Sequence, residues 1–387
     1  MRICLNMIVK DEAAVITRCL ASVRPFIDHW VIVDTGSTDG TQDIVREFMR
    51  DVPGALHERP WQNFAHNRNE ALALAKPEGD YVLFIDADET LRLPADFHWP
   101  AMSGDGYQFR CEYNGWDYLR NALVATRLPW RWEGVLHEFL TSDTPHTWNT
   151  LPGPVIDVAH DGARGRNPET YLRDIEVLER AVRDEPANTR YMFYLAQSYR
   201  DAGRPQEALE KYRLRVAMGG WEEERWFALY QIALLAEKLG ESAAEIRERY
   251  LAAYQLRPAR AEPLCELARF HRLRNEFALA HLYARQAAAV PYPKDGLFVD
   301  TAVYAWRALD ELAVSAYYIG AQEDGKAALQ KLLAENRFPE HERARIENNR
   351  VFYGLNGAAA ATAASPPISV SMVAAQRTET SGAALSC

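Results

Sequence analysis

The stretch that most constrains the fold is VIVDTGSTDGTQDIVREFM, residues 31–49. Val31–Val33 is a β-branched run that favours a buried strand, and apolar residues recur at helical spacing over 44–48. The glycines and short polar residues between these two parts predict a turn with helix-capping residues. Because ligands of open α/β sheets bind at the carboxyl ends of strands, Asp34 lies where a small-molecule site is expected.

The same alternation of strands and helices continues on both sides of this segment. We predict strands at Ile3–Val9, 31–33, Ala55–Glu58 and within 79–90, and helices at Glu12–Val23, 41–50 and Phe64–Ala75. Such alternation implies a mostly parallel, doubly wound sheet. An aromatic-rich stretch, 92–165, contains strand-like pieces at Gly106–Tyr113 and Leu136–Thr141, and we assign it to the far half of the same domain.

From Asn167 onward the sequence pattern is almost wholly helical, and pairs of predicted helices with a similar arrangement of apolar residues recur. Aligning Ala196, Ala233 and Ala268 gives offsets of 37 and 35 residues, near the ~34-residue tetratricopeptide period. A fourth unit is expected around 302–333. A solenoid of this kind serves as a binding or dimerisation surface, although a helical domain without a partner of its own would show the same pattern.

These patterns predict three parts. Residues 1–165 form an α/β domain, 166–355 form a helical-repeat domain, and 356–387 form an Ala/Ser/Thr/Pro-rich tail whose composition predicts disorder.

Composition excludes several classes of protein. A formal net charge of -10 argues against a nucleic-acid partner. The five cysteines are scattered and form no CxxC pair, which indicates reduced thiols and no zinc module. No apolar run reaches transmembrane length, and the opening residues are typical of a strand rather than a signal peptide. We therefore expect a cytoplasmic protein.

A pair of carboxylates follows the clearest predicted strand, YVLFI. Asp86 and Asp88 flank Ala87 on the loop at its carboxyl end. Two carboxylates in this arrangement form a hard oxygen site for Mg²⁺ or Mn²⁺, and such an ion also takes phosphate oxygens from a nucleotide. A solvated acidic turn is the alternative, but the strand context and Asp34 on the same edge favour a site.

Two other enzyme classes share parts of these motifs. DTGS at 34–37 is the aspartic-protease motif, but that chemistry needs two such aspartates and the chain has one, so we set it aside. The segment from Asp86 to Thr90 fits the nucleophile loop of haloacid-dehalogenase phosphatases. No lysine lies between Lys76 and Lys211, and a long segment precedes Asp86. A phosphatase therefore remains an alternative with less support.

Four segments together resemble the GT-A fold of family 2 glycosyltransferases over about residues 1–165. They are NMIVKDEAAVITRCLASV, VIVDTGSTDGT, FAHNRNEALALAKPEGDYVLFIDADE and WEGVLHEFL, in this order. An appended tetratricopeptide-like domain also occurs in a subgroup of that family, which includes the bacteriocin peptide S-glycosyltransferases.

The resemblance implies a role for each matching residue on the donor side. Asp34 should contact the uracil or ribose of a sugar nucleotide, and the loop from Ile8 and Val9 to Glu12 should line the nucleoside. Arg68 should lie near the base and phosphates. Asp86 and Ala87 should contact the ribose or donor sugar.

The resemblance also implies a metal site and a base. Asp88 should bind Mn²⁺ or Mg²⁺, and His160 should complete the metal shell. Glu138 is the first choice for the base that deprotonates the acceptor, Glu133 is the second, and His137 would position the base or replace it. Surface salt bridges for the two glutamates, and an ordinary hydrogen-bonded His160, are the alternatives.

The sequence therefore predicts a metal-dependent, inverting transferase that uses a nucleoside-diphosphate sugar, with a UDP-sugar as the expected donor. The acceptor is unknown; a peptide or protein bound by the repeats and a glycan both fit. A homodimer formed through the repeats is compatible with the pattern. The alternative from another class is a repeat-based binding scaffold with a weak or inactive transferase domain.

Overall fold

A computed structural model describes residues 1–355 and divides them into two compact units, Met1–Arg204 and the chain from Pro205 onward. The predicted tail, 356–387, lies outside the described residues. The division falls after the first two helices of the helical region, and the predicted domain limits themselves stay predictions.

Sequence patterns predict six of the strands of the first unit and miss those at Glu89–Arg92, Trp116–Ala125, Arg131–Glu133 and Trp148–Val158; the described part of the unit has ten strands in all. They are β1 (Ile3–Val9), β2 (His29–Asp34), β3 (Gly54–Glu58), β4 (Tyr81–Phe84), β5 (Glu89–Arg92), β6 (Gly106–Tyr113), β7 (Trp116–Ala125), β8 (Arg131–Glu133), β9 (Phe139–Thr141) and β10 (Trp148–Val158). The strand expected from Leu136 begins only at Phe139, because a tight turn precedes it.

The main sheet has the strand order β3-β2-β1-β4-β7-β6-β10-β5. Strands β3, β2, β1 and β4 are parallel, as the alternating pattern predicts. The far half is mixed, since β7 pairs antiparallel with both β4 and β6, whereas β6 and β10 are parallel. Strands β8 and β9 form a separate hairpin.

Three helices cover the parallel half: α1 (Ile16–Val23), α2 (Thr41–Phe48) and α3 (Phe64–Ala75). Helix α1 begins four residues later than predicted, because the backbone at Asp11 is left-handed (φ 56°) and Glu12 belongs to a turn. Leu72 and Ala75 of α3 pack against Val82 and other apolar side chains of the sheet. This packing fixes α3, and therefore Arg68, above β1 and β4.

Two more helices complete the first unit, α4 (Thr170–Asp184) and α5 (Thr189–Asp201), and they pack against each other. Asn188 caps α5 by accepting a hydrogen bond from the backbone N–H of Tyr191.

The second unit consists of helices that pack mainly on their neighbours in sequence, as in a solenoid. They are α6 (Pro205–Ala217), α7 (Glu222–Lys238), α8 (Ala243–Leu256), α9 (Glu262–Leu273), α10 (Phe277–Ala289), α11 (Ala308–Tyr318), α12 (Gln322–Glu335) and α13 (Glu340–Asn348). The aligned alanines, Ala196 in α5 and Ala233 and Ala268 in this unit, are all fully buried, as expected of repeat packing positions. The expected fourth helical pair corresponds to α11 and α12.

Among the described residues, no helix is both long enough and apolar enough to span a membrane. Cys4, Cys19, Cys111 and Cys265 are buried and unbridged in this part of the chain.

Candidate active site

The candidate site lies at the carboxyl ends of β2, β1 and β4, which are neighbours in the sheet. Loops 10–15, 35–40 and 85–88 follow these three strands, and we call them together the rim. The parallel direction of the strands brings all three loops to one edge, where the sequence predicts a small-molecule site.

Asp34 ends β2 and is 1% exposed. Its Oδ1 atom accepts hydrogen bonds from the backbone N–H groups of Gly36 and Ser37, both at 2.9 Å, and from Gln42 at 3.1 Å. Its Oδ2 atom is buried and has no hydrogen-bond partner among residues 1–355. Because buried polar atoms in proteins are nearly always paired, this oxygen leaves a position for a donor from water or from a ligand.

The first two rim loops are joined by side-chain to backbone hydrogen bonds. Ser37 Oγ accepts from the N–H of Asp11 at 2.8 Å, and Thr41 Oγ1 accepts from the N–H of Glu12 at 2.8 Å. Asp39 accepts from the N–H of Ala13 at 2.9 Å. These contacts fix the segment from Ile8 and Val9 to Glu12 beside Asp34, which is where the nucleoside is expected.

Arg68 of α3 joins two carboxylates of the predicted site. Its NH2 group donates to Asp86 Oδ1 at 2.7 Å, and its Nε forms a short ion pair with Glu138, which is 8% exposed. The guanidinium also lies over the ring of Trp132, 5.0 Å from the centroid. The structure therefore brings the predicted phosphate-side residue and the first-choice base into direct contact.

A second arginine, Arg120 of β7, pairs with Glu89 through two hydrogen bonds of 2.6 and 2.5 Å. Glu89 in turn accepts from the backbone N–H of Asp86 at 2.9 Å, and Arg120 lies 3.9 Å from Asp86 Oδ2. Burial would raise the pKa of Asp86, but the charges of Arg68 and Arg120 outweigh it and hold this pKa below its ordinary value. Asp86 is therefore ionised and oriented.

Asp88 and Glu12 flank Gly162 on the other side of the rim. A Cβ atom at Gly162 would lie 3.0 Å from an oxygen of each carboxylate, so a glycine is needed for this approach. Gly162 N–H donates to Asp88 at 3.3 Å, and Ala163 N–H donates to Glu12 at 3.1 Å. Burial and the charge of Asp86 raise the pKa of Asp88, and burial with the charge of Asp88 raises that of Glu12 to about 7.

Asp88 and Glu12 are the rim carboxylates that could hold a divalent cation together with substrate phosphates, and such a cation would offset the burial and charge that raise their pKa values. No three His, Cys, Asp or Glu side chains between residues 1 and 355 converge tightly enough to hold an ion by themselves. His160 lies edge-on against Tyr113, at 4.5 Å between ring centroids, and its Nε2 is buried and unpartnered.

The two remaining predicted residues differ in their surroundings. His137 is buried, and burial together with the charges of Arg164 and Arg190 lowers its pKa well below the ordinary value, so its ring is neutral. Glu133 is 42% exposed and pairs with Arg131 at 2.6 Å, which is the surface salt bridge considered as an alternative from the sequence. The structure therefore places His137 with Glu138 and leaves Glu133 in a solvent-facing pair.

Sequence reasoning missed Arg120 and Glu89 as members of the site. Glu89 belongs to the acidic run DADE, in which the sequence assigns a role only to the residues before it, and Arg120 lies in the aromatic-rich stretch outside its matching segment, WEGVLHEFL. Arg18 was also missed; it donates to the carbonyl of Asp88 at 2.9 Å and pairs with Asp161 at 2.6 Å. Arg120 is one of three polar residues in β7, with Asp117 and Asn121, so the strand's own pattern does not single it out.

Comparison with known proteins gives matches for both parts of the chain. Residues 4–93 match glycosyl transferase family 2. A TPR repeat-containing protein of Synechococcus elongatus is 30% identical over 315 residues, covering 74% of this chain and 75% of that protein. The prophage-derived glycosyltransferase SunS of Bacillus subtilis is 25% identical over 218 residues, covering 53% of this chain and 51% of SunS.

Among solved structures, a thermophilic TPR protein of Thermus thermophilus aligns at 17% identity with a TM-score of 0.33. The alignment covers 46% of this chain and 90% of that one. A score of this size supports no argument about function.

The family match includes the strands and loops that hold Asp34, Arg68, Asp86 and Asp88. The mixed sheet of the first unit is consistent with the predicted GT-A fold, and the helical region agrees with the predicted repeats. The chain thus belongs to the family of TPR repeat-containing proteins that includes the Synechococcus elongatus relative, and its first unit contains a glycosyl transferase family 2 domain.

Proposed function

We propose that the first unit transfers a sugar from a nucleoside-diphosphate sugar, with a UDP-sugar as the expected donor, and inverts the anomeric centre. The observation that supports this most directly is the unpartnered Oδ2 of Asp34 at the edge of the sheet that also holds Arg68, Asp86 and Asp88. An acceptor atom without a donor suits the imide N–H of a uracil or a ribose hydroxyl.

In this proposal the diphosphate of the donor lies next to Arg68 and the carboxylates of loop 85–88. Arg68 supplies a guanidinium suited to phosphate oxygens, and its pair with Asp86 fixes its direction. Asp88 would hold Mn²⁺ or Mg²⁺, with His160 as a further ligand, and the ion would offset charge on the departing diphosphate. Asp86 and Ala87 would contact the ribose or the donor sugar.

Glu138 fits the base that deprotonates the acceptor. As the acceptor attacks the anomeric carbon and the bond to the diphosphate breaks, Glu138 takes the acceptor's proton. Its burial and its pair with Arg68 hold the carboxylate in one place, whereas exposed Glu133 is held only by Arg131. Neutral His137 is adjacent and fits a positioning role.

The acceptor remains open between a peptide or protein and a glycan. A peptide or protein would be bound by the helical repeats, which form binding surfaces in other proteins. A cytoplasmic location and a homodimer formed through the repeats belong to the same proposal.

A phosphatase would need Asp86 as a nucleophile. In the structure one oxygen of Asp86 is paired with Arg68 and the other faces Arg120, so we do not adopt this alternative. The family 2 match over residues 4–93, together with the intact Asp34, Arg68, Asp86 and Asp88, favours the transferase over a scaffold without activity.

Calorimetric titration of the full chain with UDP, GDP and UDP-sugars, each with Mn²⁺ and with chelator, tests the proposal. We expect metal-dependent binding of UDP that is lost in Asp88→Ala. Asp43→Ala is the control, because Asp43 is exposed on α2 and pairs only with Arg46. Absence of binding to every nucleotide would favour the scaffold.

A further inference from the structure

The turn that presents Glu138, residues 134–138, has an unusual backbone. His137 has a φ of 51°, a left-handed conformation that residues other than glycine adopt rarely and only where their surroundings enforce it. Gly134 has a φ of 114°, and a Cβ atom there would lie 3.3 Å from the Cα atom of Glu138. The turn therefore needs an external support.

Helix α5 supplies that support through Arg190. The Nε and NH2 groups of Arg190 both donate to the backbone carbonyl oxygen of His137, at 3.0 and 2.8 Å. Two donors from one planar guanidinium fix both the position and the direction of this carbonyl. The carbonyl belongs to the peptide bond that joins His137 to Glu138.

Two tyrosines of the same helix contact the same turn. The ring of Tyr194 stacks on the imidazole of His137, with centroids 3.8 Å apart and planes at 10°. The hydroxyl oxygen of Tyr191 lies near the backbone of Val135; burial raises the pKa of this tyrosine, and the polarity of that backbone lowers it. The guanidinium of Arg190 itself lies over the ring of Tyr194 at 4.9 Å, so these side chains support one another.

We propose that Arg190, Tyr191 and Tyr194 are positioning residues for Glu138, so that helix α5 completes the active site although it lies beyond the predicted limit at residue 165. This inference rests on the proposed function, because it takes Glu138 as the base. Arg190 acts through the backbone of His137, and none of the three residues is assigned a contact with the substrate.

The physical reason is the narrow geometry of proton transfer. A base acts only within hydrogen-bond reach of the acceptor's proton, and a displacement of about 1 Å costs on the order of 100-fold in rate. Without Arg190, the left-handed backbone at His137 loses two of its hydrogen bonds and the turn relaxes. Binding of the nucleotide depends on Asp34 and Asp88 and should not change.

The test uses the full chain with Mn²⁺ and follows the release of UDP from a UDP-sugar, with water as the acceptor. Arg190→Ala and Tyr194→Leu should lower kcat on the order of 10- to 100-fold, while the KM for the donor and the calorimetric Kd for UDP stay unchanged. Arg190→Lys should recover part of kcat, because an ammonium replaces the charge and one of the two hydrogen bonds.

Arg24→Ala is the matched control. Arg24 also lies over an aromatic ring, that of Phe48 at 5.6 Å, and pairs with Asp51, but it touches no residue of the candidate site. Its loss should leave kcat unchanged.

Hydrogen exchange supplies a readout that does not depend on turnover. Amides of residues 134–140 should exchange faster in Arg190→Ala, whereas amides of 29–34 in β2 should not. If Arg190→Ala exchanges throughout the first unit, the variant has unfolded, and Tyr191→Phe, which removes a single hydroxyl, decides the question by the same two readouts.

The outcomes separate the two proposals. Wild-type protein that binds no nucleotide contradicts the proposed function, and the exchange of 134–140 then still shows whether α5 holds the turn. Wild-type protein that releases UDP, with kcat and exchange unchanged in Arg190→Ala and Tyr194→Leu, overturns the positioning role alone. A parallel loss of kcat and of UDP affinity in these variants also overturns it.

Discussion

Replacing Asp34 by asparagine should separate nucleotide binding from stability. The two side chains have the same shape, and an asparagine carbonyl can accept the hydrogen bonds that Gly36, Ser37 and Gln42 now donate to Oδ1. The amide NH2 then takes the place of Oδ2, the atom that has no partner in the structure. The substitution therefore replaces an unused acceptor by a donor and removes the negative charge, while it keeps the shape of the side chain.

The size of each effect follows from these contacts. A hydrogen bond to a charged group contributes about 1.5–3 kcal/mol, and each 1.4 kcal/mol corresponds to about tenfold in affinity, so the Kd for UDP should rise on the order of 10- to 150-fold. The free energy of unfolding should stay within about 1 kcal/mol, because no protein hydrogen bond is lost and a buried amide is easier to desolvate than a buried carboxylate.

The assay combines calorimetric titration with UDP and urea denaturation of the same preparations. Asp39→Asn is the control in the same turn, because Asp39 accepts hydrogen bonds from Ala13 and Thr41 through both oxygens. It should show the reverse pattern, with a lower free energy of unfolding and a smaller effect on UDP binding.

Two results would refute this reasoning. Unchanged UDP affinity in Asp34→Asn would mean that Oδ2 does not bind the nucleotide. A loss of more than about 2 kcal/mol in unfolding free energy would mean that the oxygen has a structural partner, since that is the cost of a broken buried hydrogen bond to a charge.

Three other substitutions test the rest of the site. Arg68→Ala leaves Glu138 buried without its cation, so it should lower the free energy of unfolding by about 3–5 kcal/mol in urea denaturation. A loss below about 1 kcal/mol would show that the pair is not buried in solution. Glu12→Gln should be more stable than the wild type above pH about 7 and should lose that advantage as the pH falls towards 4.5. The reason is that the raised pKa of Glu12 makes its ionised form unfavourable in the folded state. Thermal denaturation in chelator measures this, and parallel pH curves for the two proteins would contradict it. Glu138→Gln should lower the rate of UDP release on the order of 100-fold or more, whereas exposed Glu133→Gln should not, and equal losses would remove the preference for Glu138.

Local patterns predict the strands and helices of the parallel half of the first unit, because these elements depend on neighbouring residues, but they miss β7 and β10 of the mixed half. The run before Asp34 and the run before Asp86 are buried strands, and the acidic residues follow them at the edge of the sheet, as expected. The start of helix α1 differs from the prediction, because it depends on hydrogen bonds from Asp11, Glu12 and Ala13 to the segment after β2. A local sequence pattern contains no information about these bonds.

The contacts that shape the site are long-range, and no local pattern of residues indicates them. Arg120 is 31 residues from Glu89, and Arg190 is 53 residues from His137. The sequence placed Glu12 with the nucleoside, whereas the fold also brings it beside Asp88 through Gly162. Such pairings depend on which strands become neighbours, and residue spacing along the chain does not contain that information.

The charges of the assembled site give a physical reason for the proposed metal. The chain of contacts from Glu89 through Arg120, Asp86 and Arg68 to Glu138 contains more carboxylates than guanidinium groups, so it has an excess of negative charge. Asp88 and Glu12 lie beyond it; burial raises both of their pKa values most, and neighbouring carboxylates raise them further. A nucleoside diphosphate adds further negative charge next to these groups, where repulsion is strong because water is partly excluded. A cation at this site would offset that repulsion, which is the physical reason for including Mn²⁺ or Mg²⁺ in the proposed function.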